Sequence, residues 1–165
     1  MSGSIGFDPA SLEAAAKWCV ENDTNYNEGL NWIDAAVNPQ LGGRTTFNAL
    51  STKAALLQKT GSEKEAADMM NAALEKASAQ ELHGYGRQLI SENKLTEALD
   101  VFQKNYTKNK GAWPTNAGMM RIYSAMGNYK KALEHARAAL PQAPDEPTKK
   151  FLQAAINNLE SGKPI

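Results

Sequence analysis

Apolar residues recur along this chain at helical spacing, not at the alternation of a strand. Leu82, Tyr85, Gly86 and Leu89 stand at i, i+3, i+4 and i+7, and Asn116, Met119, Met120 and Tyr123 hold the same slots further on. Leu50, Ala54 and Leu57 repeat the pattern, and Leu12, Ala16, Cys19 and Val20 give a weaker form of it. Residues so spaced share one face of a helix. The pattern predicts helices that bury one stripe and leave the other side polar.

Each of these stretches is followed by a second helical segment of a common design. Residues 26–36, 63–73, 95–105 and 129–139 each carry a charged residue, then a small residue, then apolar positions at helical spacing. The small residues are Gly29, Ala66, Ala98 and Ala132, separated by 37, 32 and 34 positions. A small residue there lets two helices cross closely. Ile33, Met70, Phe102 and Ala136 follow four residues later and are expected to fill the seam, with Ala36, Ala73 and Ala139 continuing the stripe. Asn105 interrupts it, which predicts looser or hydrogen-bonded packing in that segment.

Punctuation divides the chain at the same places. Asp8 and Pro9 predict an N-cap and a first-turn proline. Gly61 and Gly127 mark tight turns that need a left-handed residue, and Ser62 with Glu65 has the spacing of a capping box. Residues 38–44 form the longest breaker-rich stretch and account for the 37-residue spacing. After Pro144 comes one more amphipathic stretch with Phe151, Leu152, Ala155, Ile156 and Leu159 on its apolar side, ended by Gly162 and Pro164. The expected organisation is a leader or tag over 1–8, a degenerate hairpin over 9–38, hairpins over 46–77, 79–110 and 112–144, and a capping helix over 145–161, all as one domain.

Composition changes the picture in two respects. Leu, Ile, Val and Phe are scarce, and 26 alanines take their place, so the helices are expected to pack closely. The 18 basic residues balance 18 acidic ones, which gives no electrostatic case for nucleic acid as a partner. Cys19 is the sole cysteine, so no intrachain disulfide forms, and its apolar neighbours predict a small core residue. No run approaches the roughly 18 apolar residues of a membrane span. The chain shows no signal peptide, and it is expected to be soluble, in the cytoplasm or periplasm.

Residues 113–144 resemble a tetratricopeptide repeat through Met119, Tyr123, Gly127, Tyr129, Ala132, Ala139 and Pro144. The period of that family is about 34 residues. The match is fair in the second and third units and poor in the first. Runs 48–54, 82–89 and 139–145 are also similar to the end of bacterial proteins in which a domain of unknown function precedes such repeats. The resemblance implies an all-α fold, a right-handed α-α superhelix of about four hairpins plus a capping helix, with a concave groove lined by the first helix of each repeat. It also implies a protein-interaction scaffold without catalysis, taking an extended peptide or a helix in that groove.

Counting from the shared small residue puts Asn48, Ser51, Ala55 and Gln58 in the groove of the second unit, and Gln80, His83, Arg87 and Ile90 in that of the third. The fourth supplies Pro114, Ala117 and Arg121. Arg87 and Arg121 occupy equivalent slots one repeat apart, suited to a carboxylate or an acidic peptide. The binding residues expected are Asn48, Ser51, Gln58, His83, Arg87, Ile90 and Arg121. Relatives that grip a chaperone's terminal carboxylate use Lys and Asn where this chain has Ala14, Trp18, Thr52, Gln80 and Gly84, so that partner class is disfavoured. The rival readings are an array that docks on its own upstream domain or on a second copy, and an enzyme with an unrecognised site.

No cofactor, metal or catalytic set is expected. His83 and His135 lie on different repeats with no second ligand at metal spacing. Gly84 and Gly86 lack the third glycine and preceding strand of a phosphate loop. Asn22 and Asn105 begin glycosylation sequons of a kind common by chance. Met69, Met70, Met119 and Met120 are expected as core filler.

Overall fold

The structure, a computed structural model, describes residues 8–165. Of the leader expected over residues 1–8, residues 1–7 lie outside the described residues. Asp8 itself caps the first helix, with its carboxylate accepting from the amides of Ala10 and Ser11 at 3.0 and 3.1 Å. All regular structure among the described residues is helical. The chain divides into two compact units, Met1–Ala77 and Ser78–Ile165.

The first unit holds α1 (Pro9–Glu21), α2 (Tyr26–Val37), α3 (Phe47–Lys59) and α4 (Glu63–Lys76), with a 3-10 turn at Pro39–Leu41. α1 pairs with α2 and α3 with α4, while α3 also packs on α2 and α1. Its core gathers Ala16, Cys19, Ile33, Ala36, Ala49 and Leu56. Cys19 is fully buried, as its apolar neighbours required, and burial pushes its thiol pKa up.

The second unit holds α5 (Ala79–Ser91), α6 (Leu95–Lys108), α7 (Trp113–Ala125), α8 (Tyr129–Ala139) and α9 (Glu146–Glu160), with a 3-10 turn at Leu140–Gln142. α5 pairs with α6 and α7 with α8; α7 also packs on α6 and α5, and α9 covers α8. Met120, Ala132, Ala136, Ala139, Leu152, Ala155, Ile156 and Leu159 form the core beneath α9. Phe102 fills the seam of the α5–α6 pair and is fully buried.

The turns inside the hairpins share one design. After α3, Gly61 takes φ 84°, and the amides of Ser62 and Gly61 donate back to Leu57 and Gln58. Gly127 does the same after α7 with φ 74°. These are Schellman closures, in which a left-handed residue satisfies the last carbonyls. After α1 and α5 the left-handed residues are Asp23 and Asn93, at φ 55° and 59°, with the same pair of hydrogen bonds. Asp and Asn tolerate that region better than most side chains.

Some local expectations are corrected. Ser62 makes no side-chain cap hydrogen bond. The capping box belongs to α5: Ser78 Oγ accepts from the Glu81 amide at 3.2 Å, and Glu81 accepts from the Ser78 amide at 2.8 Å. Met119 and Met120 are buried, but Met69 and Met70 are half-buried, since no later helix closes over that side of α4 within its unit. Phe151 stays 41% exposed despite its place in the α9 stripe. Asn105 is hydrogen-bonded, as its position required. Its Nδ2 donates to the Ala79 carbonyl at 2.9 Å and its Oδ1 accepts from Asn109 Nδ2 at 2.7 Å. Fully buried in that network, it offers no accessible sequon in the fold.

Candidate binding site

The residues expected to bind fall into both units. Asn48, Ser51 and Gln58 lie on α3 of the first. Asn48 and Gln58 are exposed, and the half-buried Ser51 donates its hydroxyl to the Asn48 carbonyl at 3.0 Å. His83, Arg87 and Ile90 lie on α5 and Arg121 on α7, both in the second unit.

Within the second unit α5 and α7 pack together, and three of the four residues converge. Arg87, Ile90 and Arg121 line one open pocket of about 130 Å³, completed by Ala125 and Ile165. Helical spacing explains the grouping. Arg87 and Ile90 are three apart on α5, and Arg121 and Ala125 are four apart on α7, so each pair shares a face. Two cationic groups thus stand against the apolar walls of Ile90, Ala125 and Ile165.

Arg121 is the more constrained of the two arginines. Its Nε is buried without a hydrogen-bond partner. Its guanidinium lies 4.9 Å from the centre of the Phe151 ring, a cation–π contact that holds the exposed phenylalanine against it. Burial, and then the charge of Arg87, lower its pKa. None of the residues that line the pocket with the two arginines carries an acidic side chain.

His83 does not line the pocket. Its ring meets Phe102 edge-on, with centroids 5.7 Å apart, and its Nδ1 is buried without a hydrogen-bond partner. Burial foremost, followed by Arg121 and Arg87, holds its pKa below the usual histidine value. Ala117, expected in the groove, is buried.

The pocket also contains residues that counting did not select. Ala125 stands four residues beyond Arg121, so helical periodicity carries the signal for it. Ile165 has no local signal, because it reaches the pocket only by folding back onto α7. Among the described residues no group of three or more His, Cys, Asp or Glu is placed to hold a metal ion, and no helix is long and apolar enough to cross a membrane.

The geometry of paired helices closed by left-handed turns has a counterpart among known families. Residues 89–156 match the tetratricopeptide repeat family model. The tetratricopeptide match takes in the end of α5, all of α6 to α8 and most of α9, including Arg121 and Phe151. Tetratricopeptide repeats generally mediate protein–protein interaction, and proteins built from them are typically non-enzymatic scaffolds. No curated protein and no solved structure matches the chain.

Proposed function

We propose that this chain is a protein-interaction module whose second unit receives an extended peptide across the face shared by α5 and α7. The observation that carries the reading is the convergence of Arg87 and Arg121 on one pocket with aliphatic walls. A carboxylate between two guanidinium groups forms charge-assisted hydrogen bonds and relieves their mutual repulsion. An aliphatic side chain beside it covers Ile90 and Ala125. The ligand class is thus a segment that carries an acidic residue next to an aliphatic one. Asn48, Ser51 and Gln58 form a separate polar face of α3 and have no part in this reading.

The test is fluorescence anisotropy with short labelled peptides that alternate Asp or Glu with Ile or Leu, against a Lys-for-Asp control. The acidic peptide is expected to bind, more weakly as salt rises. Arg87→Glu and Arg121→Glu are each expected to weaken it about tenfold or more, the scale of a lost hydrogen bond to a charged group. Equal binding of the basic control, or arginine variants that bind like the parent, would overturn the reading. If the repeats instead dock on an upstream domain or a second copy, the peptides bind neither protein, while light scattering or a domain titration shows association that survives both arginine substitutions.

A further inference from the structure

Arg121 carries its charge half-buried, and among the described residues neither it nor Arg87 stands in an ion pair. What the Arg121 guanidinium does touch is an aromatic ring. The centre of the Phe151 ring, on α9, lies 4.9 Å from Cζ of Arg121. The core beneath α9 is built without that ring. An α-helix turns by about 100° per residue, so the buried Leu152, Ile156 and Leu159 share one side of α9 and Phe151 stands at its edge. A large apolar side chain is thus kept at the surface, where its contact is with a cation.

A ring against a guanidinium attracts the charge without using any of its N–H donors. It also narrows the rotamers of a long side chain, and that freedom is then not lost when a ligand binds. The contact therefore steadies Arg121 and leaves its terminal N–H groups available to an acid. An acidic side chain in place of Phe151 would have steadied Arg121 by neutralising it. Resting on the peptide-binding reading above, we propose that Phe151 is a positioning residue of that site. Its ring holds the Arg121 guanidinium in place beside Arg87, so that a ligand carboxylate meets donors already set. Phe151 does not line the pocket and acts through Arg121, which brings α9 into the site as a third helix.

The experiment uses the full chain and the acidic, aliphatic peptide probe described above. Phe151→Leu keeps apolar bulk and removes the π face, and urea denaturation checks that stability is kept. The variant is expected to bind the probe about twofold to fivefold more weakly, the scale of an exposed cation–π contact. Phe151→Trp offers a stronger π face and is expected to match or exceed the parent. An apolar filler would show neither the loss with leucine nor the recovery with tryptophan. Beside Arg121→Gln, the Phe151→Leu change is expected to add no further loss, because the group it positions is gone. If the probe binds the parent but Phe151→Leu binds it as tightly, if Phe151→Trp is as weak as Phe151→Leu, or if the loss persists in full beside Arg121→Gln, the positioning role is overturned and peptide binding stands. If the probe does not bind the parent, both readings fall.

Discussion

A β-carbon placed on Gly118 would stand 2.5 Å from Cδ1 of Phe102, so α7 approaches α6 only because that position carries no side chain. The tip of the ring has the same need, with a β-carbon on Gly86 falling 2.6 Å from Cζ. One aromatic ring from α6 thus occupies a slot walled by a glycine on α5 and a glycine on α7. The slot sets how closely the two helices that carry Arg87 and Arg121 approach each other.

Replacing either glycine by alanine is therefore expected to destabilise the protein. Helix propensity alone favours alanine by roughly 0.5–1 kcal/mol, but forcing a methyl into a packed core costs about 1–3 kcal/mol. Phe102 is fully buried and has nowhere to retreat, so the packing cost wins. Gly84 is the internal control: it sits on the same helix with nothing within 4 Å of a β-carbon. Urea denaturation is expected to show Gly86→Ala and Gly118→Ala less stable than the parent and Gly84→Ala more stable. A stabilising Gly118→Ala would mean that the slot has slack.

The two candidate capping serines separate by the same kind of measurement. Ser78→Ala removes the hydroxyl half of the α5 capping box, leaving the amide of residue 78 to donate to Glu81, and is expected to cost about 1 kcal/mol. Ser62→Ala loses no side-chain hydrogen bond at α4 and is expected to be nearly neutral. The Ser78 amide and hydroxyl hold the Glu81 carboxyl below its ordinary pKa. That contribution is present above the unfolded carboxyl range and fades as pH falls through the lowered folded value. The stability gap between parent and Ser78→Ala is expected to narrow in acid.

His135 gives stability a pH dependence near neutrality. Its Nδ1 lies 2.9 Å from Asn116 Oδ1, and Asn116 Nδ2 is committed to the Gly111 carbonyl. The asparagine oxygen therefore accepts, and the histidine Nδ1 donates. The ring stacks on Tyr123 and meets Tyr106 edge-on. Burial is the main cause that lowers its pKa, as it is for His83. For a histidine lowered in the folded state, the unfolded chain takes up the proton first. Stability is then full above the unfolded value of about 6.5 and falls as pH drops below it, until the folded pKa is reached. Chemical denaturation from pH 7.5 to 5 is expected to show this loss, reduced in a His135→Gln variant. An equal slope in that variant would assign the effect to other groups.

The hairpins, three of the four seam residues and two of the turns are legible in the sequence because helical periodicity and glycine are local signals; Met70 is the seam residue that stays half-buried. Ile33, Phe102, Ala136 and the alanines at 36, 73 and 139 are buried as the spacing required. The turns at Asp23 and Asn93 were missed, because those residues tolerate the left-handed region without advertising it as glycine does. Spacing alone makes Ser62 a candidate for the capping box. Only backbone geometry shows that Ser78 makes it.

By itself the sequence determined an all-helical chain of paired segments, with small residues at the crossings and two arginines one repeat apart. A 3.6-residue period fixes which side chains share a face of one helix, and nothing more. Which faces of different helices meet was decided by tertiary packing. That packing put Phe102 between two glycines and brought Arg87, Ile90 and Arg121 to one pocket while turning His83 into the helix interface. It also returned Ile165 to Ser124 across 41 positions, a contact for which no local pattern exists.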